Sequence, residues 1–259
     1  MKISEKFDEL KSNESALISY VCAGDPSPDA TKNIVKSLVR GGADIIELGL
    51  PFSDPMADGP TIQAASGRAI EAGMNPDLYF ELVSSISDEF DVPLVCMTYY
   101  NLIYKRGIEK FVQDCALSGI SGVIVPDLPV EESEELANAC QKNGVDFILI
   151  ITPVTSDERI RKITEKASGF MYLVSRLGVT GARNDVADST GQLLKRVNSF
   201  IPKAVGFGIS SPEQVKKVVS SGADGVIVGS AFVNIIASND DVENRIEKFA
   251  KDLKNSCYL

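Results

Sequence analysis

Residues 41–60 read GGADIIELGLPFSDPMADGP. Two glycines lead directly into an apolar run, Ile45 to Leu50, whose one charged residue is Glu47. A glycine that ends a helix in left-handed backbone and returns the chain at once to a strand marks the junction of an α/β unit. The run lacks strict alternation, the pattern of a strand buried on both faces of a parallel sheet. The same punctuation recurs in SGISGVIV, KNGVDFIL and SGADGVIV, where Gly119, Gly144 and Gly222 stand in the place of Gly42.

Outward from this stretch, candidate strands fall at 16–22, 44–50, 93–100, 122–128, 145–152, 170–175, 203–208 and 224–230. Amphipathic helices separate them. Ser27-Pro28 and Ser211-Pro212 place a capping hydroxyl before a proline at the first helical position, and Ser211 with Gln214 fits a capping box. An uninterrupted series of βα units predicts an α/β fold, a single (β/α)8 TIM barrel spanning residues 1–259 as one domain. A short N-terminal helix carries Ile3, Phe7 and Leu10 at helical spacing, and an extra short helix, Ala231 to Ile236, follows strand eight. The rival, an open doubly wound sheet, ordinarily shows a GxGxxG turn after its first strand; here that turn reads Cys22-Ala23-Gly24-Asp25-Pro26. In a barrel, working groups belong at the C-terminal ends of strands and in the loops that follow.

The 259 residues match the usual barrel length of about 250. A composition of 44% apolar and 24% charged residues supports a sizeable core. The net charge of −10, with no basic stripe, argues against nucleic acid and against an anionic membrane surface. No apolar run approaches membrane-spanning length and the N-terminus has no signal core, so a cytoplasmic protein is expected. The five cysteines form no CxxC or metal-spaced pair and read as buried thiols. The chain contains no histidine, so proton transfer near neutral pH would fall to carboxylates.

Glu47 shares a strand face with Ile45 and lies near the strand's C-terminal end, opposite the face of Ile46 and Leu48. An inward carboxylate there is desolvated and its pKa rises, which suits a group that both gives and takes a proton. A structural ion pair is the other reading, but no basic residue lies between Arg40 and Arg68. By spacing alone, Asp54 and Asp58 in the proline-rich loop read equally well as solvated turn residues. Gly206-Phe207-Gly208 and Val228-Gly229-Ser230, at the ends of strands seven and eight, place glycines and a helix N-terminus where phosphate-binding barrels hold their anion. Residues 175–191 read as a long polar loop, with Gly178, Thr180 and Gly181 suited to a lid. Tyr20, Tyr99, Ile124, Ile151, Tyr172 and Phe207 lie at strand ends, either lining a pocket for a flat apolar group or simply filling core.

ELGLPFSDPMADGPTIQ resembles the signature of the tryptophan synthase alpha subunit. So, in order, do YVCAGDPSP, MTYYNLIYKRG, VIVPDLPVEE, YLVSRLGVTGAR, VGFGIS and VIVGSAFV. The resemblance covers essentially the whole chain. It implies a lyase performing the retro-aldol cleavage of indole-3-glycerol phosphate to indole and glyceraldehyde 3-phosphate in tryptophan biosynthesis. It assigns acid–base work to Glu47, a carboxylate facing the indole N–H to Asp58, and a place beside the reacting side chain to Tyr172. Gly181, Gly208, Gly229 and Ser230 match the phosphate-binding positions. Tyr20, Met97, Ile124 and Phe207 match the indole pocket, and Thr180 and Arg176 belong to the lid. Pro51, Asp54 and Pro55 resemble the part of the loop that meets a beta subunit, in an alpha2-beta2 heterotetramer through which indole passes. The pyridoxal phosphate cofactor belongs to that partner, and none is expected in this chain. A stand-alone lyase, another phosphosugar barrel and a non-catalytic ligand-binding subunit are the competing readings.

Overall fold

A computed structural model describes residues 1–10, 13–175 and 185–258. Helix α1 (Ile3–Glu9) precedes β1 (Ala16–Cys22), α2 (Pro28–Arg40), β2 (Ile45–Gly49), α3 (Pro60–Glu71) and α4 (Pro76–Ser87). Then come β3 (Leu94–Met97), α5 (Tyr100–Arg106), α6 (Ile108–Ser118), β4 (Ile120–Ile124), α7 (Glu134–Asn143), β5 (Asp146–Ile148) and β6 (Ile150–Ile151). The chain continues through α8 (Asp157–Lys166), β7 (Met171–Val174), α9 (Asp185–Arg196), β8 (Lys203–Gly206), α10 (Pro212–Ser220), β9 (Gly225–Val228), α11 (Ser230–Ala237) and α12 (Val242–Lys254).

The strands pair in the order β5-β4-β3-β2-β1-β9-β8-β7-β6, and each paired neighbour runs parallel. The segments β5 and β6 are two parts of one strand path, divided at Leu149. The first part pairs with β4 and the second with β7. Ser168 N donates to the Phe147 carbonyl at 3.0 Å and Tyr172 N to the Leu149 carbonyl at 3.1 Å, so the sheet closes on itself. This is the expected barrel, with its fifth strand broken where it changes partners.

Register fixes which side chains point inward. Tyr20 stands opposite Glu47, and Glu47 opposite Val95; Met97 stands opposite Ile124, and Ile150 opposite Tyr172. Period-two alternation puts Ala16, Ile18, Ile45, Val95, Ile124, Ile148, Phe170, Ala204 and Ile227 into one apolar cluster inside the barrel. Ile3 of α1 joins that cluster and lies 2.8 Å from where a Cβ on Gly122 would sit, so the N-terminal helix plugs one end. A second and larger cluster fills the space between the sheet and the helices.

The caps largely follow the sequence. The Ser27 hydroxyl accepts from Ala30 N and that of Ser211 from Gln214 N. The reciprocal half of the capping box differs: Gln214 Oε1 accepts from Ser210 N at 2.7 Å, one residue before the cap. The turn glycines Gly42, Gly119, Gly144 and Gly222 all have positive φ.

Two expectations are corrected. Strand ends drawn from apolar runs overshoot, because β3 ends at Met97, β4 at Ile124 and β8 at Gly206. The residues beyond them form turns at the barrel mouth or, at Tyr100, open α5, and Phe207 has left the extended region altogether, with φ 83. Nor is the stretch 175–191 all loop, since α9 begins at Asp185. Leu193, Leu194 and Val197 are buried at helical spacing, and that apolar stripe outweighs the polar appearance of the stretch.

Candidate active site

Strand β2 ends in Gly49, and the loop 51–60 crosses the barrel mouth before α3 starts at Pro60. Several contacts hold the loop. Leu50 N donates to the Met97 carbonyl, and Asp58 N to that of Pro55 at 3.0 Å. Gln63 Nε2 of α3 donates to the Asp58 carbonyl at 2.9 Å. Below the loop lies a cavity of about 520 Å3. Glu47 and Asp58 both line it, with Tyr20, Met97, Ile124, Tyr172, Phe207, Gly208, Gly229 and Ser230. The mixture of apolar walls and a few convergent polar groups is that of a small-molecule site.

Glu47 is 1% exposed, and its Oε2 has no hydrogen-bond partner among the described residues. Burial, and then the nearby Asp58 charge, push its pKa up to about 8. A carboxyl in that condition is mostly protonated at neutral pH yet close enough to ionisation to work in both directions. Burial also raises Asp58, opposed by the Tyr99 hydroxyl, which donates to Oδ2 at 2.9 Å. The Tyr20 and Tyr172 phenols are held well above their usual range, first by burial and further by the Glu47 and Asp58 charges, so both remain neutral donors.

Strand ends beside the cavity need glycine. A Cβ on Gly206 would lie 2.6 Å from the Tyr172 hydroxyl and 3.0 Å from Ile227 Cβ, and one on Gly49 would clash with the Tyr20 hydroxyl. Phe207 holds a left-handed backbone that costs a non-glycine residue roughly 1–2 kcal/mol. Ser175 fastens this turn: its N–H donates to the Gly206 carbonyl, and its hydroxyl lies 3.0 Å from that carbonyl and 3.1 Å from the Phe207 carbonyl. Gly208, Gly229 and Ser230 then face the cavity at the N-terminus of α11, where main-chain N–H groups suit an anion.

The cavity therefore gathers most of the residues singled out in the sequence. Gly181, Thr180 and Arg176 lie outside the described residues. Ile151 faces the helices and is core. Tyr99 is buried behind the cavity and braces Asp58 from there. In the 51–60 loop, Asp54 is exposed whereas Pro51 and Pro55 are buried within the chain itself. The sequence reading missed Ile62, Pro126, Ile150, Thr152, Val174, Ile209 and Ile227 as lining. Three of these, Ile150, Val174 and Ile227, keep the inward parity of Ile148, Tyr172 and Gly225, so counting by twos along each strand would have found them. Among the described residues, no cluster of three or more acids or cysteines could hold a metal ion.

Fold and cavity together define a (β/α)8 barrel whose mouth holds two carboxyl groups and, beyond the last two strands, a helix N-terminus open to the cavity. The tryptophan synthase alpha chain family model matches residues 7–257. The tryptophan synthase alpha chain of Methanosarcina barkeri is 60% identical over 255 residues, covering 98% of this chain and 96% of its own. That of Methanocaldococcus jannaschii is 49% identical, covering 96% and 90%. The crystal structure of the alpha subunit from Legionella pneumophila superposes with a TM-score of 0.91 at 34% identity, covering 99% of this chain and 98% of that one. A chain of the tryptophan synthase complex from Pyrococcus furiosus superposes at 0.86 and 36% identity, covering 94% and 99%. The chain belongs to the tryptophan synthase alpha chain family and is a lyase of tryptophan biosynthesis, cleaving indole-3-glycerol phosphate.

Proposed function

We propose that Glu47, Asp58 and Tyr172 carry out this cleavage in the cavity at the barrel mouth. The observation that carries the proposal is a buried Glu47, its Oε2 unpartnered among the described residues, whose pKa is pushed up to about 8. Protonated Glu47 delivers its proton to indole C3, which makes the ring an indolenine cation and the side-chain bond breakable. Asp58, ionised, stabilises the positive charge through the ring N–H. Glu47, now a carboxylate, takes the proton of the hydroxyl on the carbon attached to C3. That carbon becomes the aldehyde, the electrons of the broken bond return to the ring, and Glu47 is back in its starting state. Tyr172, a neutral phenol beside these groups, orients the glycerol chain.

Tyr20, Met97, Ile124 and Phe207 enclose the indole, and Gly208, Gly229 and Ser230 bind the phosphate. Gly181 completes that end, and Thr180 and Arg176 act in closure over the ligand. The chain needs no cofactor of its own. Indole passes to a beta subunit carrying pyridoxal phosphate in an alpha2-beta2 assembly. Pro51, Asp54 and Pro55 contribute to the docking segment, with Asp54 as its exposed part. Membership in a family with a solved tryptophan synthase complex supports this assembly. The five cysteines, all free and buried, fit a reducing cytoplasm. Among the described residues no helix is long and apolar enough to cross a membrane.

Incubation of the protein with indole-3-glycerol phosphate, following indole by fluorescence and the aldehyde by a coupled enzyme, tests the reaction. Equal amounts of indole and glyceraldehyde 3-phosphate are expected. Intact substrate in the presence of folded protein would contradict the proposal.

A further inference from the structure

We propose that Tyr99 is a positioning residue that sets the orientation of the Asp58 carboxylate for cleavage. This inference rests on the role given to Asp58 above. Asp58 sits in a loop with no strand ladder to fix its side chain, and such a carboxylate is free to turn between rotamers. Tyr99 removes that freedom. It follows β3, caps α5 and is buried, yet it does not line the cavity.

Its hydroxyl accepts the Ala57 N–H at 3.0 Å and donates to Asp58 Oδ2 at 2.9 Å. A phenol has one proton, and the bond accepted from Ala57 leaves that proton for Asp58. The ring stacks on Phe52, with centroids 5.2 Å apart and planes at 27°. The beginning of the loop and its catalytic end thus meet on one side chain from a neighbouring strand. Tyr99 is itself anchored next door, where Tyr100 N donates to Asp127 Oδ1 at 2.9 Å. With Oδ2 occupied, Oδ1 is left for the substrate N–H.

The electrostatics agree. Among the described residues, the titratable groups that feel the Asp58 charge are Glu47 from β2, Tyr20 and Cys22 from β1, Tyr172 from β7, and Tyr99. None of these is a cation, and burial favours the neutral acid. The Tyr99 bond works against that tendency and favours the ionised carboxylate that a developing cation calls for.

The test is Tyr99→Phe in the full chain, which keeps the ring and its stacking on Phe52 but removes the proton. Three readings are taken: kcat and KM for indole release, the carbon-13 NMR titration of the Asp58 carboxyl, and the melting temperature. The expected result is a loss of about 10-fold or more in kcat with KM within about two-fold. The Asp58 titration midpoint should move upward by about half a pH unit or more, because a bond favouring the carboxylate is gone. A role in packing alone would leave both unchanged, since the ring remains. An unchanged kcat overturns the positioning role, and a lower kcat with an unmoved titration overturns its route through Asp58. Absence of cleavage by the wild type overturns the functional reading instead; the titration then still decides whether Tyr99 governs Asp58.

Discussion

At the scale of single residues, the cavity holds two carboxyl groups that burial raises, one without a partner at Oε2 among the described residues and one held by a hydroxyl. Glu47 is raised by burial first and by the Asp58 charge second. Asp58→Asn deletes that charge, so the Glu47 midpoint should fall below about 8 while remaining above the ordinary carboxylate range. A titration of Glu47 followed by infrared difference spectroscopy reads this directly. A midpoint unmoved by Asp58→Asn would show that burial alone sets the value. In the wild type, kcat/KM should fall as pH rises through the Glu47 value, since the donor form is lost there. Much of this was legible in the sequence. The inward parity of Glu47 follows from Ile45, and the absence of local cations from the run between Arg40 and Arg68. The partner of Asp58 was not legible: Tyr99 lies 41 residues away, and only the β2–β3 pairing brings them together.

At the scale of elements, strand ends shape the cavity by what they omit. Gly206 faces the Tyr172 hydroxyl and Ile227 so closely that any side chain must displace one of them. Gly206→Ala should therefore weaken substrate binding and cost roughly 1–3 kcal/mol of stability. Both effects are measurable, by KM for indole release and by urea unfolding. A wild-type KM would mean that Tyr172 can move without consequence. The mainly apolar runs of β2 and β9 were readable in advance, because burial on both faces leaves a local, continuous apolar signal. The break at Leu149 was not, since it arises where one strand leaves β4 for β7 and closes the barrel. The overshooting strand ends have a related cause. Apolar side chains at the mouth serve the ligand cavity and extend the apolar run past the last ladder bond, as Phe207 shows.

At the scale of the whole molecule, contacts away from the mouth join the N-terminal and C-terminal segments of the chain. Lys254 at the end of α12 lies 2.6 Å from Glu14 and 2.6 Å from Asp44, and Asp44 also accepts from Leu17 N at 2.7 Å. Burial would lower the Lys254 pKa, but Asp44 and then Glu14 outweigh it and hold it above its usual 10.5. Its contribution is thus complete below that unfolded value and is lost as pH rises through the raised folded one. Lys254→Met should destabilise the protein by about 3 kcal/mol at neutral pH, with the gap closing in strong alkali. Urea midpoints across pH would show this, and equal midpoints at pH 7 would rule it out. The same architecture buries Glu47 with its Oε2 unpartnered among the described residues, the setting expected of a carboxyl group whose proton is used. The most direct measurement is single-turnover indole release by Glu47→Gln beside the wild type, with substrate binding measured in parallel. The account predicts a loss of about 1,000-fold in the cleavage rate with binding retained. A rate within ten-fold of the wild type would contradict it.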